Sequence, residues 1–217
     1  MATTRYEHPS TAPMVLMLPD PASDRPGYWQ RHWAATRMDC AVLDLGTSAT
    51  PNRNSLVGRL DRAVHSADMP VVLVGHGLGA LTIAWWASLM SGEDAPGIIA
   101  ALLVSPTDPQ EIDAAEIGPL PTSVLPFPAL VAGSDDDPTL PIERAFSIAR
   151  QWGAGFARFD GCGGFGPSDG VGFWPEGEEL LDRFIDLVDD HAARTHLLSL
   201  PEWRLSAPNG GPALLRR

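Results

Sequence analysis

Three short stretches of the chain hold the side chains best suited to chemistry. Residues 71–80 read V-V-L-V-G-H-G-L-G-A and carry His76 in a glycine-rich turn. Residues 134–138 read S-D-D-D-P and carry Asp137; residues 161–166 read G-C-G-G-F-G and carry Cys162. A positioned carboxylate such as Asp137 is a competent general base at the edge of a pocket. The competing reading makes it a loop residue that caps the following turn, with help from Asp135 and Asp136. His76 is either a proton-transfer group or a histidine packed beside a sheet. Cys162 would need a base and an oxyanion-binding group to act as a nucleophile, and the sequence offers neither; an inert or merely lining thiol is the simpler reading. The Tyr28 phenol is a possible hydrogen-bond donor to a ligand carbonyl, or a packing residue at a helix start. Lysine chemistry is absent, because all 15 basic residues are arginine. Two cysteines exclude a disulfide framework or a four-cysteine metal site.

Those residues need a scaffold that delivers them to one place. Continuous apolar runs at 14–18, 41–45, 71–75, 98–105, 129–132 and 155–159 read as strands buried on both faces. Helical patterns fall between them at 28–36, 55–66, 80–91, 141–152 and 175–194, with Ser55 and the Pro141/Glu143 pair as start signals. This alternation predicts an α/β fold, a doubly wound, mostly parallel sheet of about six strands with right-handed crossovers. Every chemical candidate except Tyr28 then lies just beyond the carboxyl end of a strand. Residues 107–124, rich in Asp, Pro and Thr, are expected to form a short helix and loop over that end of the sheet. Residues 1–13 read as an N-terminal extension, 14–195 as the folded domain and 196–217 as a tail, of which 198–203 can fold back on the body.

Bulk properties narrow the partners. A net charge of −12 offers no basic surface for tracking phosphates, so nucleic acid is not an expected partner. No apolar run approaches the roughly 20 residues that span a bilayer, and no secretory signal precedes the first strand. A cytoplasmic protein without cofactor or metal, acting on a small molecule, is the expectation; oligomeric state is not encoded legibly.

The glycine turn at 75–79, preceded by a strand and followed by a helix, is similar to the G-x-S-x-G nucleophile elbow of α/β-hydrolases. Further segments sharpen the likeness: Tyr28-Trp29-Gln30, Pro51-Asn52-Arg53-Asn54-Ser55 running into Arg59-Leu60-Asp61, Leu125-Pro126-Phe127-Pro128, Asp137-Pro138 and Trp174-Pro175-Glu176-Gly177. Together they make residues 14–188 resemble the small, lid-poor serine hydrolases typified by retinoblastoma-binding protein 9. The resemblance implies a nucleophile position at Gly77, an acid at Asp137 and a histidine position at Gly164, ten residues before Trp174. It also implies an oxyanion donor at Pro21, which has no N–H to give. A triad stripped of serine and histidine does not support ordinary ester hydrolysis.

Glycines at those positions hollow the old site, and a larger, mostly apolar pocket with few polar groups is expected. Its candidate lining is Gly77, Leu78, Asp20, Tyr28, Cys162, Gly164, Phe173 and Trp174, with Asp137 and His76 as candidate catalytic groups. Gly161, Gly163, Gly164 and Gly166 give the loop around it unusual backbone freedom. Two functions remain open. One is a non-hydrolytic enzyme that binds a bulky conjugated metabolite and couples proton transfer to bond formation, with Asp137 as base and the Leu78 N–H steadying an enolate. Michael or aldol addition, cyclisation and elimination all belong to this class. The other is a pseudohydrolase that binds a small molecule or scaffolds a partner. The intact, pocket-side Trp174-Pro175-Glu176-Gly177 motif, which a purely surface-acting protein would not require, favours the first.

Overall fold

The computed structural model describes residues 12–46, 52–90, 97–110 and 117–189, together with the backbone of 203–206. Among the described residues, seven strands form one open parallel sheet in the order β2-β1-β3-β4-β5-β6-β7. They are β1 (Met14–Leu18), β2 (Cys40–Val42), β3 (Val71–His76), β4 (Ile98–Val104), β5 (Ala129–Ser134), β6 (Gly155–Asp160) and β7 (Trp203–Ser206). The six expected strands are all present. The seventh, paired to β6, comes from the segment read as a tail. The expected strand at 41–45 is shorter, because β2 is an edge strand with only β1 to pair with.

The helices are α1 (Trp29–Thr36), α2 (Arg53–His65), α3 (Leu78–Ala87), α4 (Ile142–Gln151) and α5 (Pro175–Asp189). Alternation along the strands divides the core. Leu16 and Leu18 face a layer built with α2, α3 and α4; Val15 and Met17 face one built with α1 and α5. Helix α2 starts before the expected Ser55, because the Asn52 side chain accepts the Ser55 N–H at 3.2 Å and is the N-cap. The expected helix within 107–124 falls partly on residues 111–116, outside the described residues; its described flanks are turns and irregular chain. Among the described residues, no helix is long and apolar enough to cross a membrane.

The winding reverses at β1. From β1 the chain crosses to edge strand β2, then returns past β1 to β3 on its other side. In open parallel sheets the loops that leave two neighbouring strands at such a reversal diverge, and the crevice between their carboxyl ends takes ligands. Here those loops begin at Pro19-Asp20 and at Gly77.

Candidate functional site at the strand reversal

Gly77 sits between β3 and α3 with φ 54° and ψ −118°, a left-handed conformation that glycine adopts without strain. The flanking glycines are fixed by close approach. A Cβ on Gly75 would lie 2.6 Å from the Ala80 backbone, and one on Gly79 would lie 2.0 Å from the Leu18 carbonyl oxygen. All ten residues of α3 are buried, and the helix is clamped against β1 and β3. The elbow is tied to β4 as well: Gly77 N–H donates to Val104 O at 3.0 Å, and Thr107 N–H to Gly77 O at 3.1 Å.

The space a side chain at position 77 would need is taken by Asp20. Its Oδ2 lies 2.2 Å from an ideal Cβ there. That oxygen accepts the Leu78 N–H at 3.0 Å, and Oδ1 accepts the Ala22 N–H at 2.8 Å. The carboxylate thus rests on the first N–H of α3, where the helix dipole favours negative charge. The expected role of the Leu78 N–H, steadying an enolate, is therefore corrected: Asp20 already uses that donor. Pro21 indeed has no N–H, but its neighbour Ala22 supplies one.

Asp137 follows β5 and is 8% exposed. It accepts from the Ser105 hydroxyl on Oδ2, and from the Thr139 N–H (2.8 Å), the Thr139 hydroxyl (2.9 Å) and the Leu140 N–H (3.1 Å) on Oδ1. The turn-capping reading is the one realised. Ser105, at the end of β4, holds φ 38°, a strained value for a residue with a side chain. Gly164 is beside this acid: a Cβ there would stand 3.6 Å from Asp137 Oδ1 and 3.5 Å from Asp169 Oδ2.

His76 ends β3 and is buried. Nε2 lies 2.7 Å from Gly164 O, and Nδ1 lies 2.6 Å from the Tyr28 hydroxyl. Burial pushes the imidazole below its usual pKa, so it is neutral near pH 7. A carbonyl only accepts, so Nε2 carries the proton and Nδ1 accepts from Tyr28. Burial, reinforced by the Asp20 charge, raises the Tyr28 pKa far enough to keep its phenol a donor. His76 has no free nitrogen with which to take a proton. It links α1 to the Gly164 loop instead.

That loop is held at every residue from Cys162 to Gly166. Cys162 N–H donates to Ser134 Oγ at 3.0 Å and Gly163 N–H to Asp136 at 2.9 Å. Gly164 O and Phe165 O accept from His76 and Trp29, and Gly166 N–H donates to Asp169 at 2.8 Å. The glycines' backbone freedom goes into shape, with positive φ at Gly161 and Gly163. The Ser134 hydroxyl and then the Gly163 N–H hold the Asp136 carboxyl below its ordinary range.

A cavity of about 300 Å³ opens over these parts. Asp20, His76, Gly77 and Gly164 line it, as do Asp108, Asp169 and the hydroxyl residues Ser23, Ser105 and Thr139. The expectation of a mostly apolar lining with few polar groups is corrected: carboxylates and hydroxyls line the cavity, Asp20 takes the space beside Gly77 while that beside Gly164 stays open, and among the described residues no basic side chain other than neutral His76 lines it. Asp108 is ion-paired to Arg144.

Five expected lining residues do not face the cavity. Leu78 is buried in the layer beneath the elbow, and Tyr28 reaches the site only through His76. Cys162 is buried in the opposite core layer, and its thiol is pushed up to about 12 by burial and then by the Asp136 charge. Phe173 is 56% exposed and stacks on His32 at 3.8 Å. Trp174 is fully buried against Trp29, Trp33, Phe159 and Phe165. A Cβ on Gly177 would meet its indole at 2.2 Å, so Trp174-Pro175-Glu176-Gly177 is a packing motif of the α1/α5 face that reaches the pocket only through Phe165 of the Gly164 loop. Sequence reasoning missed Ser105, Asp108, Thr139 and Asp169. The first three directly follow strands or strand-end turns, the signal that could have found them. Among the described residues, no cluster of His, Cys, Asp and Glu is arranged to hold a metal ion.

The same architecture occurs in known structures. A YdeN-like protein from Pectobacterium atrosepticum superposes with a TM-score of 0.72 at 22% identity, over 81% of this chain and 91% of that one. The ydeN gene product of B. subtilis gives 0.61 at 16% identity, over 80% and 99%. The type II thioesterase BorB from the borrelidin biosynthetic cluster gives 0.54 at 18%, over 83% and 94%. At these identities the likeness concerns the fold, which is that of the α/β-hydrolases. No curated protein matches the sequence. Residues 15–183, nearly the whole described body, match the family model for serine hydrolases, and the chain belongs to the Serine hydrolase family.

Proposed function

We propose that this chain is a non-hydrolytic member of its family, with a degenerate triad, that binds a small molecule at the elbow and withdraws a proton from it. The observation that carries the reading is the Asp20 carboxylate, which fills the place a nucleophile on residue 77 would occupy and uses the two nearest N–H donors. An ordinary elbow offers donors to a carbonyl oxygen; this one offers acceptor lone pairs. It therefore suits ligands that present O–H, N–H or acidified C–H groups, and disfavours carboxylates and phosphates. The base role expected of Asp137 passes to Asp20, because four donors saturate Asp137 while Asp20 is only partly buried and faces the cavity. Proton transfer coupled to addition, cyclisation or elimination is the reaction class such a base supports.

A second reading, a pseudohydrolase that binds its ligand without turning it over, draws support from one observation. His76 has both nitrogens engaged within the protein, so Asp20 has no evident partner to relay a proton. One experiment addresses both. Thermal-shift screening against neutral polyols, amines, conjugated ketones and carboxylates should give stabilisation by the donor-bearing classes that Asp20→Asn weakens at least tenfold in affinity. Product analysis on the hits then separates turnover from binding. Turnover of an ester panel, or labelling of the parent by a fluorophosphonate, would refute the non-hydrolytic reading outright.

A further inference from the structure

We infer that Asp20 is the lock that keeps acyl transfer off this scaffold, and that Gly77 is glycine because Asp20 is in place. The inference rests on the non-hydrolytic reading and supplies its cause. Three observations carry it. First, the Asp20 carboxylate is chelated by the N–H groups of Ala22 and Leu78, one from each loop at the strand reversal. Ala22 N–H holds Oδ1 and Leu78 N–H holds Oδ2, so the two donors flank the side of the elbow on which the oxyanion of a tetrahedral intermediate would need them. Both lie on the segments that follow β1 and β3, and both are occupied by an internal anion. Second, Oδ2 stands 2.2 Å from an ideal Cβ on residue 77, and Asp20 Cγ and Cβ stand at 2.9 and 3.0 Å. No side chain fits at 77 until Asp20 swings away and gives up both hydrogen bonds. Third, the opposite side of the cavity is open. A Cβ at Gly164 meets only ordinary contacts, at 3.5 Å from Asp169 and 3.6 Å from Asp137, and its φ is not left-handed. Asp137 Oδ1 is thus near an imidazole placed there, which would have to displace one of the Thr139 and Leu140 donors to bond it. Absence of two side chains alone does not account for the silence of the site, since restoring them would leave a carboxylate where negative charge must develop.

With the lock removed and both side chains restored, the steps balance. The introduced hydroxyl adds to an ester carbonyl carbon as its proton passes to the introduced imidazole. The oxyanion rests on the Ala22 and Leu78 N–H groups, and the alcohol leaves with that proton. Water then attacks the acyl-enzyme by the same route and releases the acid.

Four proteins test this: the parent, G77S/G164H, D20A, and D20A/G77S/G164H, each assayed by fluorophosphonate labelling and p-nitrophenyl acetate hydrolysis. The triple variant is expected to label at position 77 and to hydrolyse the ester at least 100-fold faster than G77S/G164H, which keeps Asp20 and stays unlabelled. Equal labelling of the two would overturn the lock, as would a folded triple variant with no labelling. A thermal double-mutant cycle of G77A and D20A covers the case in which the triple variant does not fold. Gly77→Ala should lower Tm by several degrees more in the parent than in the D20A background; equal shifts would overturn the contact. The left-handed φ penalty cancels in this cycle. Labelling of the parent itself would instead remove the non-hydrolytic reading, and leaves the cycle to be judged on its own result.

Discussion

Asp20 and Asp137 follow strands at the same end of the sheet, yet the fold treats them in opposite ways, and of the two only Asp20 lines the cavity. Asp137 is buried and takes four hydrogen bonds, three of them from Thr139 and Leu140 in its own turn. Asp20 takes two, both from backbone N–H groups, and one of those belongs to a residue 58 positions away. The first is a local solution that organises a turn; the second is a tertiary one that changes what the elbow presents to a ligand. A carboxylate's chemistry in this protein follows from how many of its lone pairs the fold has already filled.

The clamp beneath the site should show the largest effect. A methyl group on Gly79 meets the Leu18 carbonyl oxygen at 2.0 Å, and backbone on both sides has no room to yield. Gly79→Ala should cost at least about 3 kcal/mol in denaturant unfolding. Gly77→Ala meets a side chain that can rotate, and should cost about 1–2 kcal/mol, part of it from the left-handed backbone. If the two glycines prove equivalent, the contrast between a rigid scaffold and an adjustable elbow fails.

The carboxylates themselves come next, with stability and binding expected to separate. Asp137→Asn leaves buried donors facing an amide, and should cost about 2 kcal/mol, in the range for hydrogen bonds to charged groups. Ligand affinity should change little once the variant is folded. Asp20→Asn should cost about 1 kcal/mol, comparable to the loss of a helix cap, while the affinity loss is large. Calorimetry on both variants checks the pairing. A ligand that depends on Asp137 and ignores Asp20 would restore the base to the acid loop.

The contrast also marks where sequence reading stops. Strands buried on both faces announce themselves as unbroken apolar runs, and the elbow is legible because Gly75 and Gly79 answer to contacts any such strand-turn-helix must make. Asp137 in its turn was legible for the same reason, since its partners are two and three residues away. Asp20 was legible only as a loop residue near the site. Its partner at Leu78 and its intrusion into the volume at Gly77 depend on how two loops diverge from neighbouring strands, which no local spacing encodes. The apolar expectation for the pocket failed on that ground: glycine at 77 says that no side chain projects from the elbow, and nothing of the carboxylate that comes in from another loop. Trp174-Pro175-Glu176-Gly177 misled differently, because a motif close to the Gly164 loop in sequence packs beneath it, in the α1/α5 layer, and does not line the cavity.

The Tyr28–His76–Gly164 link offers a test that either supports or breaks the assignment of His76 as a tie. A histidine whose folded pKa lies below its ordinary value of 6.5 binds fewer protons than the unfolded chain does as pH falls. The native state therefore keeps this contribution above about pH 6.5 and loses it progressively below, until the buried ring itself takes up a proton. The effect is downward with acid, opposite to that of a histidine held by an ion pair. Denaturation midpoints measured at half-unit steps should show this slope in the parent and a flatter one in His76→Asn. A parent whose stability rises between pH 6.5 and 5.5 would mean that His76 charges in place, and that it is available for proton transfer after all.

Phe173 supplies the smallest effect and the sharpest boundary for the site. Its ring is more than half exposed and stacks on His32, while its carbonyl accepts the Trp33 indole N–H at 3.0 Å. The backbone bond anchors the loop; the ring adds only a surface contact between partly solvated groups. Phe173→Ala keeps the carbonyl and should shift stability by no more than about 0.5 kcal/mol, as surface substitutions usually do. Ligand affinity and any turnover should be unchanged, because the ring lies on the α1/α5 face, away from the cavity that Asp20 and Asp169 line. Isothermal titration of the variant against the parent decides the matter. A tenfold loss there would extend the binding surface across the Gly164 loop, and would make the pocket bounded by Asp20 only the inner part of a longer site.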